Sequence, residues 1–197
     1  MIRRANRGEL MKTEADIKRI IEDDTWMMNI LHIVKTLELP DWWICAGFVR
    51  SKIWDTLHEY SERTPLPDID VIYYDPTDTS ETKEKELEAQ LKSSDPTIPW
   101  SVKNQARMHH VNNVSPYKSS VDAIAKFPET ATALGVALDH EGNLMLAAPY
   151  GIHDVINLEV RPTSYFKETK ERMQIYKNRV LNKRWAMKWL KVKTYDI

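Results

Sequence analysis

The chain has 197 residues and a formal net charge of −1, with 42% hydrophobic and 29% charged residues, enough apolar material for one buried core with an extension. No stretch approaches about 18 consecutive apolar residues, and the first ten carry Arg3, Arg4 and Arg7 without an apolar segment. The expectation is therefore a cytoplasmic chain with no transmembrane helix and no secretory signal. The single cysteine, Cys45, excludes an internal disulfide; it lies in an apolar run and reads as a small core residue.

Residues 1–10 read as a disordered basic arm, and 11–197 as a single domain in which 161–197 form a C-terminal helical extension. Ile17, Ile20, Ile21, Met27, Met28, Leu31 and Val34 recur at three- and four-residue spacing, the mark of one amphipathic helix or of two broken near Asp24. Trp42 to Ala46 has the length of a short strand. Gly47 follows, then Val49, Ile53, Trp54 and Leu57 at helical spacing, giving strand, tight turn, helix. After the breakers Pro65 and Pro67, residues 68–74 are β-branched and aromatic, the clearest strand in the chain. Residues 80–91 predict a charged helix with Ser80 as its N-cap, and 100–106 a third strand.

A short helix is predicted over 120–127. Residues 133–138 and 144–148 flank the loop Asp139 to Asn143 as a hairpin. Pro149-Tyr150-Gly151 makes a turn. A long basic helix over 164–190 would bury Met173, Tyr176, Val180, Leu181, Trp185 and Trp189. The order predicts an α/β (α+β) fold, one small mixed sheet with helices packed on it. Charge is uneven along this order: residues 21–100 hold 17 acids and 7 bases, and 161–197 hold 11 bases and 3 acids. The basic end can meet a phosphate-rich partner, or form a solvated helix face that balances an acidic body.

Asp68 and Asp70 are two apart on a predicted strand, so their carboxylates share one face about 7 Å apart along the chain, while Ile69 and Val71 face the core. Two such carboxylates repel, and a divalent cation compensates them; Mg²⁺ takes a few carboxylates together with phosphate oxygens. A solvated strand end after the proline turn is the competing reading. Some twenty residues earlier, Gly47 stands where a helix start would offer free N–H groups to phosphate, with Arg50 and Ser51 in its first turn. Lys103, on the next predicted strand, can bind phosphate. Asn104, Arg107 and His109 form a polar, cationic cluster that either reads a base or an acceptor, or is structural.

Residues 42–58, Asp68 to Tyr73, Trp100 to His109, Thr130 to Val136 and Ala148 to Asp154 resemble, in order, the signatures of a bacterial nucleotidyltransferase-like family. That family is placed in the DNA polymerase β-like nucleotidyltransferase superfamily. The resemblance implies a mixed sheet with a glycine turn before a helix and a metal-binding Asp-x-Asp on the next strand. It further implies transfer of a nucleoside monophosphate from a nucleoside triphosphate to a small-molecule, RNA or protein acceptor, with Mg²⁺ as cofactor. Carried over, Gly47 is the turn glycine and Asp68 and Asp70 are the catalytic metal ligands, with Gly47, Arg50, Ser51, Lys103, Asn104 and Arg107 binding nucleotide. The superfamily usually takes a third carboxylate from the following strand, and residues 100–106 contain no acid. Asp122 or Asp154 are the alternatives, and Asp154 also reads as a turn cap. A catalytically degenerate nucleotide- or partner-binding module of the same fold is the second reading.

Overall fold

The computed structural model describes residues 11–195; the arm expected at 1–10 lies outside them. The apolar stripe near the start forms two helices, α1 (Glu14–Glu22) and α2 (Thr25–Lys35). Thr13 and Asp16 close a capping box on α1. The break falls at Asp24 because its carboxylate accepts from the Met27 N–H (3.1 Å) and so begins a new helix. Both helices bury their stripe, with Ile17, Ile21, Met27, Ile30, Leu31 and Val34 at 1% exposure or less.

Strand β1 (Trp43–Cys45) runs into α3 (Gly47–Leu57), followed by β2 (Ile69–Tyr73), α4 (Glu81–Ser94) and β3 (Trp100–Asn104). Ser80 caps α4 by accepting from the Lys83 N–H. β1 pairs antiparallel with β2, whereas β2 and β3 are parallel; such a pair needs a crossover, which α4 supplies. The hairpin of β4 (Gly135–Leu138) and β5 (Leu144–Ala147) adds to the other edge through an antiparallel β1–β4 ladder. The sheet order is β3-β2-β1-β4-β5, a small mixed sheet as expected.

The sheet buries both faces unequally. Ile44, Ile69, Val71, Tyr73, Val102 and Val136 belong to the main core, together with α1 and α2. On the other face, Cys45, Ile72, Ile124, Ala133 and Ala147 form a smaller cluster, roofed by the short helix α6 (Ser120–Ile124). Cys45 is 1% exposed and unpaired; burial, then the charges of Asp70 and Asp41, push its thiol well up, consistent with an inert core residue. Gly135 is needed where β4 crosses β1: a Cβ there would meet Ile124, Cys45 and Trp43 at 3.0–3.3 Å.

Three local predictions change. β3 ends at Asn104, which caps a further helix, α5 (Gln105–Asn112), by accepting from the Ala106 N–H (3.0 Å). Short elements α7 (His153–Ile156) and β6 (Glu159–Val160) follow the Gly151 turn. The helix expected over 164–190 is three pieces: α8 (Ser164–Lys167), a long α9 (Lys170–Lys183) and α10 (Trp185–Lys188). Arg184 adopts a left-handed conformation (φ 46°) between the last two. Leu181, on α9 before the break, is 70% exposed, while Trp185 and Trp189 beyond it are buried. Both pack edge-on against Trp54 of α3, with ring centroids 5.9 and 5.1 Å away. The chain closes with β7 (Lys193–Thr194) beside β6.

Candidate active site

The turn from β1 into α3 places the strain one residue earlier than the glycine. Ala46 holds φ 53° and ψ −111°, a region L-residues rarely occupy, at a cost of about 1–3 kcal/mol. Its N–H is tied to the Leu134 carbonyl (2.9 Å), so the turn is pinned to the residue just before β4. Gly47 itself is not left-handed, and a Cβ there would meet only Arg50 Nη2 and Leu66 at 3.7 Å. The value of glycine at 47 is open backbone at the head of an 11-residue helix that no side chain caps. Its first N–H groups and positive dipole end are available to an anion.

Arg50, one turn into α3, is 8% exposed. Its guanidinium carbon lies 5.1, 5.0 and 5.5 Å from the ring centroids of Trp54, Trp185 and Trp189. Nη2 donates to Ser51 Oγ (3.2 Å), whereas the buried Nε has no hydrogen-bond partner. Burial is the main cause that lowers its pKa, to about 10, so Arg50 stays charged at neutral pH. Among the described residues no carboxylate forms an ion pair with it. A buried guanidinium with an unmet donor is costly unless an anion completes it.

Asp68 lies just before β2 and Asp70 within it, Asp68 exposed and Asp70 half-buried. Burial raises the Asp70 carboxyl above the ordinary carboxylate range, and the Asp68 charge adds to it. A hydrogen bond from Ser101, its register partner on β3, and the charges of Arg179 and Lys183 offset part of this. Ala46, Gly47, Arg50, Ser51, Asp68 and Asp70 line one pocket of about 160 Å³. Five sequence-predicted residues from α3 and β2 thus meet in one place. The same pocket is lined by Arg179, Lys183, Trp185, Lys188 and Trp189, from α9 and the α10 region. Sequence reasoning did not place these in the site; the basic C-terminal excess and the tryptophan spacing were their signal. A larger cavity, about 690 Å³, lies between the α2–β1 connection and the β4–β5 hairpin and contains none of the predicted residues.

Lys103, Asn104 and Arg107 do not line this pocket. They surround Glu84 of α4, which is fully buried. Arg107 forks onto it through Nε–Oε1 (3.0 Å) and Nη2–Oε2 (2.8 Å), Lys103 Nζ lies 3.5 Å away, and the Asn104 N–H donates to it (2.9 Å). The Asn104 amide also donates to the carbonyls of Asp75 and Asp78 (2.7 and 2.9 Å), pinning the β2–α4 loop. His109 stacks on His110 in α5.

Among the described residues that line the pocket, Asp68 and Asp70 are the acids. Among the described residues, the one group of three His, Cys, Asp or Glu within metal reach of each other is His153, Asp154 and Glu159. There Asp154 accepts from Thr130 Oγ1 (2.5 Å), and Arg161 pairs with Glu159 (2.9 Å). Asp122 lies in the first turn of α6 and pairs with Lys126 (2.9 Å).

The fold is of the polymerase β-like nucleotidyltransferase type, with a strand–turn–helix unit beside the strand that carries Asp70. A nucleotidyltransferase family profile matches residues 32–194, and the chain belongs to that family. It is similar to a solved structure described as revealing a CCA-adding enzyme head domain, at 38% identity and a TM-score of 0.86, over 96% of this chain and 100% of that one. The fold also matches CCA-adding enzymes complexed with CTP (TM-score 0.58, 13% identity) and, from Thermotoga maritima, with tRNA (0.55, 12% identity). Each match covers 91% of this chain, which spans 43% and 42% of those two enzymes. Curated proteins yield no significant match. No helix among the described residues is long and apolar enough to cross a membrane.

Proposed function

We propose that the chain is a Mg²⁺-dependent nucleotidyltransferase that moves a nucleoside monophosphate from a nucleoside triphosphate to an acceptor hydroxyl at Asp68 and Asp70. The observation that carries this reading is the single pocket shared by the α3 N-terminus, Arg50 and the two aspartates. The donor set suits the ion: two oxygen ligands on one strand face, where their mutual repulsion calls for a cation, match a metal held by one or two carboxylates plus phosphate oxygens and water. When bound, Mg²⁺ would supply charge neutralisation at the phosphates.

The chain's own groups then act as follows. The α3 N-terminus and Gly47 receive phosphate oxygens, and Ser51 Oγ orients Arg50, whose free Nε is met by the anion. The acceptor oxygen bonds to the α-phosphorus and the bond to the α,β-bridging oxygen breaks. Its electron pair leaves with pyrophosphate, and the hydroxyl proton passes to water. The likeness to a CCA-adding enzyme head domain favours an RNA 3′ hydroxyl as acceptor. Residues 11–197 act as one unit in this reading, since the core cluster runs from Met11 to Val192.

Isothermal titration of each nucleoside triphosphate, with and without Mg²⁺, on wild type and Asp70→Asn tests the site. Mg²⁺-dependent binding lost in the variant is expected; no binding to wild type refutes the proposal. The missing third carboxylate favours a second reading, a nucleotide-binding module without catalysis. Binding without incorporation of labelled monophosphate into RNA, small-molecule or protein acceptors would select it.

A further inference from the structure

Part of the pocket wall comes from the far end of the chain, and its chemistry is one-sided. Arg179, Lys183 and Lys188 line the same pocket of about 160 Å³ as Asp68, Asp70 and Arg50, and the charges of Arg179 and Lys183 act on Asp70. Arg179 spends only Nε, on the buried Glu129 (2.7 Å), which fixes its guanidinium while its terminal nitrogens make no hydrogen bond among the described residues. Neither the Lys183 nor the Lys188 ammonium has an ion-pair partner among them. Residues 184–191 are held against α3 by Trp189 Nε1 donating to Asp55 (2.7 Å), Tyr60 Oη donating to the Lys188 carbonyl (2.5 Å) and the Lys191 N–H donating to His58 (3.0 Å). Lys188 is therefore mounted on a fixed strap, while Arg179 and Lys183 stand on α9.

Four cations and two carboxylates line the pocket, and with Glu129 balancing Arg179 one surplus positive charge remains. A Mg²⁺-bound triphosphate carries two negative charges, the sign this surplus attracts. The volume points the same way. It falls below the roughly 300–1,000 Å³ of a pocket that encloses a whole small molecule, so it suits a phosphate tail with the nucleoside outside. We propose that Arg179, Lys183 and Lys188 form the β,γ-phosphate subsite, binding the polyphosphate of the incoming nucleotide and the pyrophosphate that departs. This rests on the nucleotide-binding reading above and assigns the part that the C-terminal region plays in it.

Lys183→Gln/Lys188→Gln tests this, because both side chains are exposed and their loss removes no core contact. Arg179 is left intact because it neutralises buried Glu129. Wild type, the double variant and Lys170→Gln, a control outside the pocket on α9, are titrated with Mg²⁺–tripolyphosphate, with each nucleoside triphosphate and monophosphate, and with a single-stranded RNA oligonucleotide. The double variant should lose about tenfold or more in affinity for triphosphates and tripolyphosphate, with monophosphate affinity and the control unchanged. Equal affinity of wild type and double variant for triphosphates overturns the subsite while leaving the nucleotide site standing. So does a loss as large for monophosphates, or one confined to RNA. Wild type that binds neither triphosphate nor tripolyphosphate overturns both.

Discussion

The Glu84 cluster separates a structural from a nucleotide-binding role for Arg107, and Arg107→Ala is the perturbation that does so. Glu84 is fully buried and takes both prongs of the Arg107 fork. Removing one partner of a buried pair costs about 3–5 kcal/mol, because the other charge is left uncompensated. Here the Lys103 ammonium at 3.5 Å and the Asn104 N–H at 2.9 Å remain, so the loss belongs at the lower end, about 3 kcal/mol. For a chain of this size, that is a fall in Tm of about 6–12 °C, read by scanning calorimetry. Glu84→Gln/Arg107→Met, which removes both charges, should recover most of it. Nucleotide affinity, measured well below the transition, should stay within about twofold of wild type. An unchanged Tm with lost nucleotide binding would refute the assignment and return Arg107 to the site.

Asp70→Asn should abolish Mg²⁺-dependent nucleotide binding and yet raise the Tm of the metal-free protein at neutral pH. Burial and the Asp68 charge hold the Asp70 carboxyl above its unfolded value, so its stabilising contribution is full below the ordinary carboxylate pKa and is lost as pH rises through the raised one; a fall in Tm in EDTA at pH 7 contradicts this. Asp24 carries the opposite sign. Burial raises its pKa, but hydrogen bonds from Lys52 and Arg63 outweigh this and leave it lowered, so its contribution is present above the ordinary carboxylate pKa and disappears as pH falls below it. Asp24→Asn should cost about 1–3 kcal/mol at pH 7 and flatten the acid side of the stability profile, followed by urea unfolding. Gly47→Ala should fold normally, since its Cβ meets nothing closer than 3.7 Å, while weakening phosphate binding. Gly135→Ala overpacks against contacts at 3.0–3.3 Å and should cost about 1–3 kcal/mol; thermal melts of the two side by side test the contrast.

Local periodicity and punctuation made much of the fold legible. The stripe from Ile17 to Val34, the cap at Ser80, the strand at 69–73 and the hairpin around Gly142 all follow from contacts within a few residues. The Asp-x-Asp face followed from the two-residue period of a strand, and the turn before α3 from its neighbouring elements. The long C-terminal helix is present as α9 over 170–183, and it stops short of 190 at Arg184 because tertiary packing outweighs propensity there. Turning Trp185 and Trp189 onto Trp54 and Arg50 needs a left-handed residue, and no local pattern records it.

What the sequence determined alone is most of the sheet and the longer helices, and the residues that could carry nucleotide chemistry. The tertiary structure decided which of them meet. It brought Gly47, Arg50, Ser51, Asp68 and Asp70 into one pocket, took Asn104 and Arg107 to buried Glu84, and set the C-terminal cations in the pocket of the aspartates. The Trp189–Asp55 bond that anchors the segment carrying Lys188 joins residues 134 apart. At such separations chain proximity says nothing, and only burial of the tryptophans against α3 selects the contact.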